Sequence, residues 1–316
     1  MFTEKTASPL NAPADSPIIG TAPVEPQNVL QGFLDLAGVE APGDDLYYTC
    51  VRCGLCLESC PTYSLLNLEM ASPRGRIALI RGVGVGNIGV ASPAFLAQMD
   101  LCLGCLACQA VCPSGVDYGH LLEAGRAQAR AITEKDRVTR WIETLVFQWL
   151  FMSMARFRLT ARSLWLYQCS GIQWLARKLG LIKAMGLAEL EALLPRMDDR
   201  FVTPDGTVYA PTDAGIAPKR VALITGCVQS VAFAEVHAAT IHALQVNGCE
   251  VVLPPGQECC GALHAHSGDL IRSMELARIN IDALEAADAD YIVVNAAGCS
   301  HHMKDYAHSL KDDPDY

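Results

Sequence analysis

Two cysteine runs near the start of the chain have the spacing of iron–sulfur cluster ligands. Their sequences are CVRCGLCLESCP at 50–61 (the first run) and CLGCLACQAVCP at 102–113 (the second run). Each follows C-x2-C-x2-C-x3-C-P, in which three close thiolates wrap one face of a cube and each reaches a different iron. The fourth cysteine lies too far along to close the same cube, and in two-cluster proteins it binds the other one. The spacing therefore predicts two [4Fe–4S] clusters that exchange their fourth ligands.

The exchange of fourth ligands between the runs determines which cysteines are predicted to hold each cluster. We expect the first cluster to be held by Cys50, Cys53, Cys56 and Cys112. We expect the second cluster to be held by Cys102, Cys105, Cys108 and Cys60. Zinc and disulfides are the alternatives. Tetrahedral zinc normally takes two well-separated cysteine pairs, and disulfides belong to oxidising compartments, so both suit this pattern less well.

Four further cysteines follow predicted strands in the second half of the chain, and we call them the cysteine-rich site. They are Cys227 after VALITG, the pair Cys259 and Cys260 after CEVVLPPGQE, and Cys299 after YIVVNAAG. Ligands of α/β sheets gather at the carboxyl ends of parallel strands. Gly261 would allow the turn that brings both members of the pair inward. The pattern predicts a third iron–sulfur centre, with inert buried cysteines as the alternative.

Other features of the sequence give weaker indications of function. Four histidines are candidate proton donors or hydrogen-bond partners of the cysteine-rich site, rather than ligands: His264, His266, His301 and His302. Cys169 and Cys249 fit no ligand spacing, and we interpret both as structural. The sequence GVGNIG at 84–89 matches a dinucleotide-binding pattern, but no strand precedes it, so a glycine-rich turn is predicted instead.

The elements around these sites predict an α+β multidomain fold. A leader over 1–43, with a short helix around Val29–Leu36, precedes a helical two-cluster ferredoxin-type domain over 44–128. A helical connecting region over 129–202 and a Pro/Gly-rich linker over 203–218 follow. Apolar strands that alternate with helices over 219–316 predict an α/β domain with a parallel sheet.

The composition limits the kinds of partner that the chain is expected to bind. The net charge of −10 argues against nucleic acid, which needs a basic face. The chain has no run of about 18 apolar residues, so any membrane contact is expected to be peripheral. All four tryptophans lie in the connecting region among arginines, which predicts either packing between the domains or a docking face for a partner or a membrane surface.

The chain has fourteen cysteines and no visible signal peptide, so the cytoplasm is its expected location. Any peripheral membrane contact is expected on the cytoplasmic face.

The order of the motifs resembles the iron–sulfur subunit of glycolate oxidase over residues 45–316. The resemblance rests on CPTY at 60–63, SPRGRI at 72–77, CPSGVDYGHLLEAGR at 112–126, GCVQ at 226–229, CCGALHAH at 259–266 and GC at 298–299. It implies a flavin-dependent complex that oxidises glycolate to glyoxylate. FAD would sit on partner subunits, and this chain would pass electrons toward a quinone or another acceptor. The resemblance also implies a second Cys-Cys-Gly module, which is not found before Tyr316.

Related functions stay open at this point. Cys-Cys-Gly domains also occur in heterodisulfide reductases, lactate-utilisation proteins and anaerobic glycerol-3-phosphate dehydrogenase subunits. Heterodisulfide reductase modules have a further cysteine where this chain has His302, so a disulfide-cleaving centre is not expected. A reductase whose cysteine-rich site is the active site, and a sensor or scaffold, are the competing classes. Two clusters held close together favour electron conduction over a scaffold, which needs only one cluster, and the reductase hypothesis stays open.

Overall fold

Residues 44–192 are mainly helical in the computed structural model, which describes residues 33–34, 42, 44–197, 199–212 and 218–316. Six helices build the ferredoxin-type half, with a 3-10 turn at Glu69–Ala71: α1 (Asp44–Tyr48), α2 (Pro61–Leu66), α3 (Pro73–Gly84), α4 (Pro93–Leu101), α5 (Ala107–Ala110) and α6 (Tyr118–Ile132). Five more form the connecting region, with a π-helical segment at Thr144–Leu150: α7 (Arg137–Glu143), α8 (Met154–Cys169), α9 (Ile172–Lys178), α10 (Leu181–Ala184) and α11 (Ala188–Ala192).

Helix α3 shows why the segment between the two runs is helical. Ser72 caps it by accepting a hydrogen bond from the backbone N–H of Gly75 at 3.0 Å, and Pro73 occupies the first turn, where no N–H is needed. Ile80 on its buried face packs in one core with Phe95 of α4 and Leu121 of α6. Burying each of these side chains contributes about 1.5–3 kcal/mol, which holds the three helices behind the cysteine runs.

The last third is an α/β domain around a four-stranded sheet of order β1-β3-β2-β4. Its strands are β1 (Val208–Tyr209), β2 (Lys219–Ile224), β3 (Cys249–Val252) and β4 (Tyr291–Val294). Its helices are α12 (Val228–Ala232), α13 (Ala234–Val246), α14 (Ala262–His266), α15 (Leu270–Glu285), α16 (Ala297–Lys304) and α17 (Tyr306–Ser309). Strands β3, β2 and β4 run parallel, as predicted, whereas β1 pairs with β3 in the antiparallel direction.

The structure adds detail to three predicted segments. The sheet is mixed rather than purely parallel because β1 forms inside the predicted linker over 203–218, where it covers the free edge of β3. Helix α6 continues to Ile132, past the predicted boundary at 128, because its apolar face stays buried along its length. The predicted helix around 29–36 lies largely outside the described residues, although Leu34 exchanges two backbone hydrogen bonds with the Gln128 side chain at 2.8 and 2.9 Å.

The two halves meet where α6 packs against α14. The Arg126 guanidinium donates to the carbonyl of His266 at 2.8 Å, and Arg130 pairs with Asp269 at 3.2 Å. Gly268 lies so close to α6 that a Cβ there would sit 2.7 Å from the carbonyl oxygen of Arg126. The ferredoxin-type half therefore contacts the α/β domain directly.

His120 gives this interface a pH dependence. Its two ring nitrogens lie 2.5 Å from Asp117 and 2.7 Å from Asp305, one carboxylate from each half. Burial lowers the pKa of His120, but the two carboxylates outweigh it and raise the pKa to about 10. Because the folded pKa lies above the unfolded value of about 6.5, the stabilisation is complete below about pH 6.5 and is lost as pH rises through about 10.

Replacing His120 with alanine should therefore destabilise the protein only while the imidazolium is present. We expect the free energy of unfolding to fall by about 1–2 kcal/mol near pH 6, a value reduced from the full pKa shift because solvent screens the pair. The loss should vanish above about pH 10. Denaturant unfolding across this pH range measures it, with His242→Ala, an exposed histidine, as the control. A loss that is the same at every pH would contradict the ion-pair explanation.

Candidate iron–sulfur sites

The first three cysteines of each run lie on loops of the same backbone conformation. Residues at matching positions have a left-handed backbone: Arg52 and Gly104 follow the first cysteine by two, with φ of 58° and 64°. Gly54 and Leu106 follow it by four, with φ of 87° and 55°. A left-handed conformation costs non-glycine residues about 1–2 kcal/mol, so its presence at Arg52 and Leu106 marks a functional constraint. Both loops curl their cysteines around a common centre.

The thiols of the first run form one electrostatic group. Burial raises the pKa of Cys56, backbone hydrogen bonds oppose the rise, and the neighbouring Cys50 and Cys53 add to it. Cys53 is exposed at the tip of the loop, whereas Cys50 and Cys56 are half-buried, as is Cys112 of the second run. The rim of this group therefore faces solvent.

The thiols of the second run are buried more deeply. Burial, followed by charges on Cys102, Cys56, Cys105 and Cys60, raises the pKa of Cys108 to about 12. Cys102 receives a hydrogen bond from the backbone N–H of Gly104 at 3.5 Å, and its sulfur lies 3.4 Å from the Tyr118 hydroxyl. Cys60 of the first run thus lies near the second run, and Cys56 and Cys108 lie near each other across the two groups.

The chemistry of these thiols suits a [4Fe–4S] cluster, in which each thiolate binds a different iron. The buried guanidinium of Arg76 lies 4.0 Å from the Cys60 sulfur, and it would face the negative charge of a cluster. The residues present therefore fit the clusters.

The cysteine-rich site forms where three parallel strands end. Cys259 donates a hydrogen bond to the sulfur of Cys227 at 3.7 Å. Interaction with Cys259, and then with Cys299, lowers the pKa of Cys260, whereas interaction with Cys260 raises the pKa of Cys299. The four thiols therefore form one electrostatic group. Gly261 makes the predicted turn, with φ of 87°.

The four histidines take different positions around this site. His264 and His302 are buried, and the ring of His302 bonds to the Ser273 hydroxyl at 2.8 Å. The ring of His264 bonds to the backbone carbonyl of Phe147 at 2.8 Å. His266 faces Glu123 of α6 at 3.2 Å, and His301 is exposed. Two of the four are therefore buried in the core, and their ring hydrogen bonds go to Ser273 and Phe147 rather than to the cysteines.

The connecting region covers the cysteine-rich site. The sequence did not predict this contact. Phe151, Met154 and Phe157 pack against Cys227 and Cys259. The backbone N–H of Met154 also donates to the side chain of Glu258. The only signal for this contact is the apolar run FQWLFMSM at 147–154, whose partner a local pattern cannot specify. This cover excludes water from one side of the site.

Two interpretations of the connecting region can be compared with the structure. Trp141, Trp149 and Trp174 are exposed and Trp165 is half-buried, whereas phenylalanines and methionines pack against the α/β domain. Of the two alternatives for the tryptophans, this exposure favours a docking face over packing between the domains. Cys169 is exposed at the end of α8, which does not fit a structural role. Cys249 lies half-buried at the amino end of β3, the opposite end of the sheet from the cysteine-rich site. The GVGNIG segment follows helix α3, as expected for a turn rather than a dinucleotide site.

Comparison with known families matches three parts of the chain in order. The family described as 4Fe-4S dicluster domain matches residues 47–116, and the cysteine-rich domain family matches 221–304. Between them, residues 138–194 match the linker region of the glycolate oxidase iron-sulfur subunit. The chain belongs to the family of glycolate oxidase iron–sulfur subunits. Its combination of modules, rather than any one of them, decides this, since the linker match is specific to that family.

Individual relatives agree with this assignment. The chain is 41% identical over 270 residues to the probable glycolate oxidase iron-sulfur subunit of Bacillus subtilis (strain 168), which covers 84% of this chain and 60% of that protein. It is 32% identical over 281 residues to the glycolate oxidase iron-sulfur subunit of Escherichia coli (strain K12), which covers 86% of this chain and 61% of that protein. The chain thus spans about 60% of the length of these relatives. No solved structure matches it.

Proposed function

We propose that this chain is the electron-transfer subunit of a flavin-dependent glycolate dehydrogenase. The observation that carries the proposal is that thiols of both runs pack in one buried cluster, which includes Cys56 of the first run and Cys108 of the second. Clusters bound to these groups would supply adjacent one-electron carriers. The chain's own residues would hold them: Cys50, Cys53, Cys56 and Cys112 for the first, and Cys102, Cys105, Cys108 and Cys60 for the second.

The cysteine-rich site extends this proposed path. Cys227, Cys259, Cys260 and Cys299 would hold a third iron–sulfur centre, and the cover formed by Phe151 and Phe157 would keep water from it. Helix α6 connects the two regions, because Tyr118 at its start contacts Cys102 and Glu123 faces His266 of α14. Electrons from the FAD of partner subunits would pass through these centres to a quinone or another acceptor.

Lactate-utilisation complexes are the second candidate. The chain is 39% identical over 94 residues to lactate utilization protein A of Exiguobacterium sp. (strain ATCC BAA-1283 / AT1b), which covers 30% of this chain. That match is shorter than the matches to glycolate oxidase subunits and does not extend over the whole chain. Subunits of heterodisulfide reductase-like and anaerobic glycerol-3-phosphate dehydrogenase complexes remain further alternatives, since they share the same kinds of module.

The reaction is tested with the full chain after anaerobic cluster assembly. Alone, it should not reduce a dye with glycolate, since it provides no flavin to accept the hydride. With FAD-containing subunits of a glycolate-oxidising complex, glycolate should bleach its cluster absorbance, whereas lactate should do so much more slowly. Dye reduction by the chain alone would overturn the subunit role. Faster bleaching by lactate with its own flavoproteins would favour the second candidate.

We also propose peripheral contact with the cytoplasmic membrane face through the connecting region. Residues 137–187 contain eight Arg and Lys but one Glu, in a chain whose net charge is −10. Helices α7 and α9 expose apolar side chains to solvent, including Trp141, Trp174 and Leu175. Exposed apolar faces flanked by basic residues are typical of helices that lie on anionic bilayers. None of the helices in the described ranges is long and apolar enough to cross a bilayer.

Vesicle flotation tests this contact. The chain should float with phosphatidylglycerol vesicles and not with phosphatidylcholine vesicles. The double variant Trp141→Ser with Trp174→Ser should reduce partitioning about tenfold, which corresponds to about 1.4 kcal/mol. Leu65→Ser removes an equally exposed apolar side chain outside the connecting region and should change nothing. Equal binding to both kinds of vesicle, or none to either, would contradict the proposal.

A further inference from the structure

Arg76 is a buried cation with no acidic partner. It lies in α3, its side chain is only 1% exposed, and no carboxylate of the described residues forms an ion pair with it. The guanidinium instead donates to the backbone carbonyl of Gln98 at 3.0 Å and to the Thr62 hydroxyl at 3.0 Å. Its third contact is the sulfur of Cys60 at 4.0 Å. Arg76 therefore directs its charge at a predicted cluster ligand.

Burying an unpaired charge costs several kcal/mol, so the fold needs a negative group close to Arg76. Neutral carbonyl and hydroxyl oxygens do not supply that charge. The thiolate of Cys60 does, together with the cluster it would bind. Thr62 completes the arrangement, since its hydroxyl lies 3.2 Å from the Cys60 sulfur and donates to the carbonyl of Ala71 at 2.9 Å. The planar fork of an arginine suits these three separate acceptors.

We infer that Arg76 is a positioning residue that raises the reduction potential of the cluster bound through Cys60. When one electron enters that cluster, its negative charge increases by one, and no bond forms or breaks. A fixed cation beside the ligand stabilises the reduced form more than the oxidised form, which shifts the potential upward. This inference rests on the proposed function, because it requires that the cluster is present.

Arg74 provides a matched control two residues away in the same helix. Its guanidinium is partly exposed and is neutralised by Glu69 at 2.6 Å. Replacing it with glutamine removes the same formal charge from the same element. Because solvent and the Glu69 carboxylate already screen Arg74, its loss should leave the potential of the Cys60 cluster unchanged.

The experiment is a redox titration of the full chain after cluster assembly, followed by electron paramagnetic resonance. In Arg76→Gln, the ratio of reduced to oxidised Cys60 cluster at a fixed potential should fall about tenfold, equivalent to about 59 mV for one electron. Arg76→Lys should recover part of the loss, and Arg74→Gln should leave the Cys60 cluster at the wild-type potential. Only that cluster is compared, because Arg74 also donates to the backbone carbonyl of Arg52 in the first run at 3.2 Å. An unchanged or raised potential in Arg76→Gln, or a shift confined to the cluster of Cys50, would overturn the inference.

A second variant decides the case if Arg76→Gln does not retain iron. Thr62→Val keeps the shape of the side chain but removes the hydroxyl that orients the guanidinium toward Cys60. It should lower the potential in the same direction by a smaller amount, and an unchanged value would overturn the inference. A wild-type chain that binds no iron would instead refute the proposed function. Normal wild-type clusters with unshifted variants would refute only the role of Arg76.

Discussion

Replacing Cys60 with serine should damage the cluster of the second run and spare that of the first, although Cys60 belongs to the first run. The reason is that the fourth cysteine of a run lies too far along the chain to close the same cube and binds the other cluster. Cys60 is one of the electrostatic neighbours of Cys108, as are Cys102, Cys56 and Cys105. A serine hydroxyl is a poor substitute for a thiolate, so we expect up to about four irons per chain to be lost. Iron analysis and electron paramagnetic resonance of the assembled protein measure the loss.

Two variants serve as controls for this experiment. Cys53→Ser should remove the signal of the first cluster, because Cys53 belongs to that run alone. Cys169→Ser should remove none, because that cysteine is exposed on α8, outside every proposed ligand set. If Cys60→Ser and Cys53→Ser removed the same signal, the fourth ligands would not cross between the runs. Each run would then bind its own cluster with four successive cysteines.

The parts of the site that the sequence predicted best depend on short spacing. Three cysteines two apart can fold around one cube without help from the rest of the chain, so the loops at Cys50 and Cys102 were recognisable. The positions after the strands were also predictable, because a parallel sheet brings the carboxyl ends of its strands to one edge. The structure places Cys227, Cys260 and Cys299 there. Local pattern and sheet geometry were enough for both.

Contacts between distant segments were not predictable in the same way. Phe151 and Phe157 cover the cysteine-rich site, but their apolar character allowed packing against any surface. Strand β1 has only two residues, too few for an alternating pattern to show. Arg76 appeared only as part of a helix in SPRGRI, and only its tertiary position reveals the missing carboxylate. In each case, the deciding partner lies far away in the sequence.

Replacing Gly261 with alanine should dismantle the cysteine-rich site. Gly261 has φ of 87°, and an added Cβ would lie 2.9 Å from the hydroxyl and 3.0 Å from the carbonyl oxygen of Ser273. Ser273 holds the ring of His302 on α16, the helix that carries Cys299. The methyl group would therefore push α15 away and separate Cys260 from Cys299. Backbone strain of about 1–2 kcal/mol and overpacking of about 1–3 kcal/mol should together lower the free energy of unfolding by about 3 kcal/mol.

The control variant Gly248→Ala separates the cost of backbone strain from the cost of the steric clash with Ser273. Gly248 has φ of 80°, nearly the same conformation, but no atom lies within 4 Å of its added Cβ. Its loss of stability should stay near the backbone cost of about 1 kcal/mol, with every iron centre retained. Gly261→Ala should lose the iron of the cysteine-rich site while both ferredoxin-type signals persist, because those ligands lie on other elements. Retention of that iron in Gly261→Ala, at the level of Gly248→Ala, would show that the turn does not bring Cys260 and Cys299 together.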